Sequence, residues 1–387
     1  MTTKRPSVFQ LSSEVRRKGA FALCLALCML GLGLFATAQG PGANFITFEV
    51  PGAASGAYQG TLIESINAAG DVAGNYWDEN NMSHGFVRTR DGRITSFEAP
   101  GSGTGSGQGT GGCWGINAAG VIVGNYSDAN FVYYTILRTP DGRITEFSVP
   151  GAGTSAYQGT FPNAINDAGN IVGNYVDSNY VAHGYVRAAN GAISRIDVPG
   201  AGTSADQGTS ALSINHAGVI AGFYFDASSV AHGYVRAANG WITPFEVPGA
   251  GTGAGQGAEA WSINAAGTIA GYYVDDLYVV HGFVRAVDGA VTPFSVRDAG
   301  TGTYQGTYGY AINNSGIVTG WYIDAGGTYF GFVRTANGAI TSFDAPDSGL
   351  GNGQGTTPYG INAAGAIGGQ YSDSNDLYHA FIRTPEP

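Results

Sequence analysis

An Ile-Asn pair followed by two residues and a glycine recurs seven times, with its asparagine at Asn67, Asn117, Asn166, Asn215, Asn264, Asn313 and Asn362. The first interval is 50 residues and the next five are 49. A fixed period of this size outranks any local propensity, because each copy is one supersecondary unit that buries its apolar faces only against its neighbours. No linker or break in composition interrupts the series.

Within one copy, residues 59–101 contain four short stretches of alternating apolar and polar residues: Thr61–Asn67, Asp71–Asp78, His84–Arg88 and Ile94–Ala99, labelled strands a, b, c and d. Asn67-Ala68-Ala69-Gly70 reads as a tight a–b turn and Asp91-Gly92 as a c–d hairpin, since both central positions of that turn tolerate positive φ. Asp141-Gly142, Asn190-Gly191, Asn239-Gly240, Asp288-Gly289 and Asn337-Gly338 repeat the second signal. With 64 glycines and only 12% charged residues, the composition suits short strands and tight turns. Four short antiparallel strands per repeat of about 40–50 residues is the pattern of a propeller blade. The fold expected is therefore all-β, a seven-bladed β-propeller of four-stranded antiparallel blades. The last copy stops at Thr384 after its c strand, while an orphan d-like stretch, Phe45–Val50, opens the mature chain. Seven complete units result only if that N-terminal strand closes the last one. An open β-solenoid, the alternative, would need polar caps instead.

Residues 1–38 read as an export signal: Lys4, Arg5, Arg16, Arg17 and Lys18 precede an apolar run from Ala20 to Ala36, and Ala36-Thr37-Ala38 offers a cleavage site. The mature chain, 39–387, is then a single seven-repeat domain, secreted or held in the periplasm or at the cell surface. Cys24 and Cys28 fall in the leader, so only Cys113 remains and the fold is held without an internal disulfide; Cys113 reads as a small packed residue. The mature part carries 12 Arg against 27 Asp and Glu, a net charge near −15. Such a chain repels phosphate backbones and anionic lipids, which argues against nucleic acid or membrane as partner and leaves cations and neutral polar ligands such as sugars. A monomer is expected.

The run from the Ile-Asn-x-x-Gly turn through Gly-Asn-Tyr to His379-Ala380-Phe381 resembles the bacterial extracellular HAF-repeat family, named for that tripeptide. The resemblance spans nearly all of residues 45–384. Other copies have His84-Gly85-Phe86, His183-Gly184-Tyr185, His232-Gly233-Tyr234 and His281-Gly282-Phe283; two depart further, with Tyr134-Thr135-Ile136 and Phe330-Gly331-Phe332. In that family an aromatic often follows where this chain has Arg. The resemblance implies export and a repeat β fold, and no established reaction. Pro385-Glu386-Pro387 lacks the apolar helix and basic cluster of a sorting tail.

Three polar columns recur in all seven copies: Gln59 and its equivalents before strand a, an aspartate ending strand b and an arginine closing strand c. Repetition favours structure over catalysis, because an active site needs one asymmetric constellation. Asp78 and His84, Asp177 and His183, Asp226 and His232, Asp275 and His281, and Asp373 and His379 are each six apart, which would set them face to face at the base of a b–c loop, with Tyr76 opposite Phe86. Hydrogen bonding that closes the loop is the expected role. Loops such as Asp177-Ser178-Asn179 and Asp373-Ser374-Asn375-Asp376 offer several oxygens but lack the full spacing of a calcium site, so no cofactor is expected, with calcium the metal left open. Arg88, Arg187, Arg236, Arg285 and Arg383, with Arg138 and Arg334, are expected to bridge to a carboxylate or carbonyl of a neighbouring blade. His216 reads as solvated.

The d–a and b–c connections leave one side of a blade, and they are longer and more variable than the turns on the other side. Tyr58, Tyr157 and Tyr304 precede the Gln column, and Phe131, Tyr180, Tyr278 and Tyr329 are assigned to b–c loops. Aromatic faces among amides and hydroxyls on loops held by a rigid scaffold suit multivalent contact with extracellular polysaccharide, or with a surface protein. The expected function is a non-enzymatic binding or scaffold module; the rival is a lyase or hydrolase with its site in the central channel.

Overall fold

The computed structural model describes residues 44–385, and the leader, with Cys24 and Cys28, lies outside them. Among the described residues there are 28 strands and no helix. In the first copy, strands Gly60–Ile66, Val72–Trp77, Ser83–Arg88 and Ile94–Phe97 follow one another as an antiparallel meander. Each copy repeats it, giving 21 strands in a closed, propeller-like ring with seven short d strands outside.

Neighbouring units touch through one parallel bridge from strand c to the next strand a, Ser83 to Gly109 in the first instance. The residue after each Gln makes this bridge. At Gly109 φ is +115°, and a Cβ would sit 2.1 Å from the Ser83 carbonyl oxygen, so the Gln-Gly pair is a backbone requirement.

The circle closes twice over. Gly60 bridges to Tyr378 of the seventh unit. Asn44–Phe48 runs antiparallel to Tyr378–Thr384, with Asn44 opposite Thr384 and Phe48 opposite Ala380, so the outer strand of the last unit comes from the other end of the chain. Its pairing ends at Phe48, two residues before the expected end, and Val50 N–H turns away to donate to Thr61 Oγ1 at 3.0 Å.

The apolar core lies in the seams between units. Val172 and Ile196 of unit 3 pack on Ala211, Ile220, Tyr224 and Tyr234 of unit 4, and the other seams repeat this. Cys113 is wholly buried in such a seam, as expected. The arginine column serves the seams too, but by a different contact from the one expected. Arg88, Arg138, Arg187, Arg285, Arg334 and Arg383 lie over the phenylalanine of the preceding unit's d strand, 4.8–5.0 Å from the ring centroid. The guanidinium is planar and weakly hydrated, so an aromatic face in a desolvated seam suits it as well as a carboxylate would. Arg236 has Ile196 in the place of that ring.

The period-marking asparagines form a second closed circle. Each buried Nδ2 donates to the backbone carbonyl of the next asparagine: Asn67 to Asn117, on through Asn166, Asn215, Asn264 and Asn313 to Asn362, and from Asn362 back to Asn67, at 3.0–3.3 Å. Each Oδ1 accepts the N–H four residues on and so shapes its own a–b turn.

Candidate functional site

The aspartate column builds the b–c turns. Asp78 Oδ1 accepts the N–H groups of Asn80 and Met82 at 2.9 and 2.8 Å, and the other six aspartates accept the same two N–H groups. That oxygen is thereby engaged in every turn.

The histidines sit one step from where the spacing suggests. His84 faces Tyr76 across the b–c ladder, and Phe86 faces Gly74. The turn is tighter than a five-residue loop, since Asp78 N–H already bonds Met82 O, and the register moves by one pair. The ring then stacks on Tyr76 at 4.9 Å and reaches Asp78 obliquely, Nε2 to Oδ2, at 3.5 Å. His183, His232, His281 and His379 repeat the arrangement with Asp177, Asp226, Asp275 and Asp373 at 3.0–3.5 Å. Nδ1 turns outward to Glu98, Asp197, Glu246, Ser295 or Glu49 at the end of the d strand. Where His is replaced the stack persists: Tyr134 lies on Tyr126 and Phe330 on Tyr322. This column is a cross-strand brace. His216 is exposed in its a–b turn.

The same groups set a pH dependence. Burial pushes Asp78, Asp177, Asp226, Asp275 and Asp373 up, but the turn N–H groups and the histidine outweigh it and hold all five below the ordinary 3.8. His379 is raised above 6.5, chiefly by its hydrogen bond to Glu49. The aspartate contribution to stability is present above pH 3.8 and lost as pH falls through the lowered folded values. The His379 contribution is present below 6.5 and lost as pH rises through the raised one. Glu259, which burial pushes from 4.5 to about 7, costs stability as it ionises above 4.5, by roughly 3 kcal/mol when complete. The melting temperature should therefore peak at about pH 4–5 and decline towards pH 8. A Glu259→Gln variant should flatten that decline. Thermal scans from pH 3 to 9 test this, and a maximum on the alkaline side would contradict it.

On the long-loop face each d–a loop is tied to the preceding b–c turn by one backbone hydrogen bond, such as Tyr157 N–H to Phe131 O at 2.8 Å. Both residues of the tie are left-handed. Six of these positions carry an aromatic at positive φ: Tyr58 (62°), Phe131 (60°), Tyr157 (67°), Tyr180 (64°), Tyr278 (62°) and Tyr304 (57°). Glycine occupies the same place at Gly107, Gly255, Gly327 and Gly353, and Asn81, Asp206, Ser229 and Asp376 hold the other four. Tyr58, Tyr157 and Tyr304 are nearly half exposed. Phe131 stacks on Tyr157 at 5.8 Å and Tyr278 meets Tyr304 edge-on at 5.7 Å, while Tyr58 and Tyr180 lie beside Asp376 and Asp206. The rim thus has four aromatic junctions rather than seven equivalent ones. Tyr329 is not among them. It opens the c strand Tyr329–Arg334 and bridges to Gly355, because the sixth turn has Gly327 at the left-handed position and ends two residues earlier.

The inner wall holds what the repeat pattern concealed. Every strand a carries a bulge: pairing steps from Ile63 to Ser65, Pro162 to Ala164, Ala211 to Ser213, Ala260 to Ser262, Gly309 to Ala311 and Pro358 to Gly360, with a longer step, Gly111 to Gly115, in unit 2. The residues passed over are Glu64, Asn163, Leu212, Trp261, Tyr310 and Tyr359, and in unit 2 Trp114. A bulge re-aims a side chain, and the a strands adjoin one another around the ring. This column therefore lines the axial channel. Trp261 stacks on Tyr310 at 4.7 Å, and Tyr310 meets Tyr359 at 5.5 Å and Trp321 at 5.2 Å. Tyr308 extends the arc, 5.3 Å from Trp321 and 4.9 Å from Tyr272. Beneath Trp261, Glu259 Oε2 accepts from Tyr272 OH at 2.9 Å and Trp261 Nε1 at 3.1 Å. The sequence marks units 2 and 6 as deviant through Trp114 and Trp321; the half-buried acid Glu259 belongs to unit 5. Seven different-looking a strands were its only signal.

No family model matches the chain, and no curated protein matches it. Among solved structures it is similar to the BP39L lectin from Burkholderia pseudomallei, with a TM-score of 0.53 and 10% identity over 83% of this chain and 95% of that one. A fucose-specific lectin from Aleuria aurantia gives a TM-score of 0.45 and 13% identity over 73% and 94%. Puromycin hydrolase gives 0.49 and 11% over 82% of this chain and 51% of that one. The first of these likenesses supports a propeller-like ring of repeated strands.

Proposed function

We propose that this chain is an exported seven-bladed β-propeller, similar to HAF-repeat proteins, that binds neutral extracellular polysaccharide through aromatic side chains on its long-loop rim. The observation that carries this reading is the left-handed backbone of Tyr58, Phe131, Tyr157, Tyr180, Tyr278 and Tyr304. A side chain there costs about 1–2 kcal/mol relative to glycine, which other junctions use at no cost. Strain of this kind, kept at six exposed or half-exposed aromatics, is explained by what the rings contact. The fold it shares with a lectin, and a net negative charge that disfavours anionic polymers, agree with a neutral glycan.

Replacing Tyr157, Tyr180, Tyr278 and Tyr304 together by glycine tests the reading. Binding to immobilised neutral polysaccharide should be lost, while the melting temperature holds or rises because the strain is relieved. With four junctions on one rim, the intact protein should bind polymer at least ~100-fold better than the monomer unit. Retained binding in the variant, or equal affinity for monomer and polymer, would sink it. Capture of a surface protein with no glycan binding would replace it by the protein-partner reading.

A further inference from the structure

We propose that the axial channel holds a second, independent site that binds one organic ammonium group per chain, in the aromatic arc of units 5 to 7 beside Glu259. Three observations meet there. In the fourteen a and b strands of the ring the only charged residues are Glu64 and Glu259, both acidic, and the arginines all lie elsewhere. The rings of the arc pack on one another in two ways: Trp261 stacks on Tyr272 and Tyr310, and Tyr308 on Trp321, at 14–29°, while Tyr272 to Tyr308 at 66°, Tyr310 to Tyr359 at 78° and Trp321 to Tyr359 at 62° are turned edge-on. The stacked faces cover one another, so no single broad plane is left free for a flat sugar face, and the faces at the edge-on junctions point in different directions, which suits one compact cation. The bulges also make the site unique to these units, because Asn163 and Leu212 stand where Trp261, Tyr310 and Tyr359 do.

Glu259 supplies the charge. Its two hydrogen-bond partners are neutral donors and no ion pair reaches it among the described residues, so no cation there balances its carboxylate, and burial raises its proton affinity accordingly. The other titratable groups that face it are Tyr272 and Tyr308, both held far above neutrality by burial. An ammonium group would restore the missing balance and ionise Glu259 as it binds. A metal ion suits the place less well, since Glu259 is its one carboxylate, the indole N–H offers no lone pair, and no group of three metal-ligating side chains occurs among the described residues. The ammonium could belong to a free small molecule or to an amino sugar on a glycan; the chemistry is the same.

The test is titration of the whole chain with choline, with its neutral isostere 3,3-dimethylbutan-1-ol and with a glucosamine oligomer, followed by calorimetry and tryptophan fluorescence. One choline, or one oligomer, should bind per chain, and the neutral isostere should not. Affinity should rise about tenfold from pH 6 to pH 8 as Glu259 ionises. Glu259→Gln should weaken binding about tenfold or more, and Tyr359→Leu several-fold, with melting temperature reporting that both still fold. The four-glycine rim variant should keep ammonium binding and Glu259→Gln should keep polysaccharide binding, so the two sites fail separately. Equal binding of choline and its isostere, no binding of either cation, or a Glu259→Gln variant that binds as before would overturn the proposal.

Discussion

Deleting residues 39–52 should lower the melting temperature by roughly 10 °C or more and leave a protein prone to self-association. The segment removes Val50, which is 1% exposed, together with Phe45 against Phe343 and Phe381 and Phe48 against Phe86. Burying side chains of this size is worth about 1.5–3 kcal/mol each, less where burial is partial, so the loss is several kcal/mol. The deletion also takes Glu49 from His379 and the ring of Phe48 from Arg88. The strand Tyr378–Thr384 would be left as an open edge with unpaired N–H and C=O groups, which is where association would start. Calorimetry and sedimentation would measure both effects, and adding a 39–52 peptide in trans should restore much of the loss. For comparison, Glu79→Gly at an exposed turn tip should change stability by no more than about 0.5 kcal/mol. A deletion variant that melts with the intact chain would show that the N-terminal strand does not latch the ring.

Breaking the asparagine circle should be nearly as costly, and from a single side chain. Asn215 is buried; its Nδ2 donates to Asn264 O at 3.2 Å and its Oδ1 accepts Val219 N–H at 3.0 Å. Asn215→Ala takes one of two donors from the buried Asn264 carbonyl, which keeps Gly267 N–H at 3.0 Å, and leaves the part-buried Val219 N–H without its acceptor, at about 1–3 kcal/mol. Asn215→Asp separates the two roles: it keeps the acceptor for Val219 but sets a carboxylate oxygen against the Asn264 carbonyl. If the circle holds the units together, Asp should destabilise at least as much as Ala, by about 3 kcal/mol, and Asn362→Asp should do the same although its partner Asn67 is 295 residues away. Chemical denaturation of the three variants would measure this. An Asp variant as stable as the parent would reduce the asparagine to a turn former.

The seven-fold period, the turns and the N-terminal origin of the last outer strand were all legible in the chain itself, because each rests on local chemistry: Asp-Gly and Asn-Gly pairs fix hairpins, alternation fixes faces, and the missing d strand after Arg383 has one donor, Phe45–Phe48. What failed was anything decided by a neighbour's geometry. The arginines could be placed on a face of strand c but not over a phenylalanine 40 residues earlier in the chain, since no spacing rule encodes a seam. The His84 register turned on whether Asp78 closes a three- or a five-residue loop, and one residue of difference moves every cross-strand pair. Tyr329 was misassigned for the same reason. The axial column was hidden most completely: a bulge leaves no mark in composition, so Glu64, Asn163 and Trp261 look like ordinary strand residues until pairing skips them. The repeats by themselves determined the architecture, because every unit must satisfy the same backbone and seam. The asymmetry that could confer function lies where that constraint is absent, on the rim and along the axis, and only the packing of the seven units decided which residues stand there.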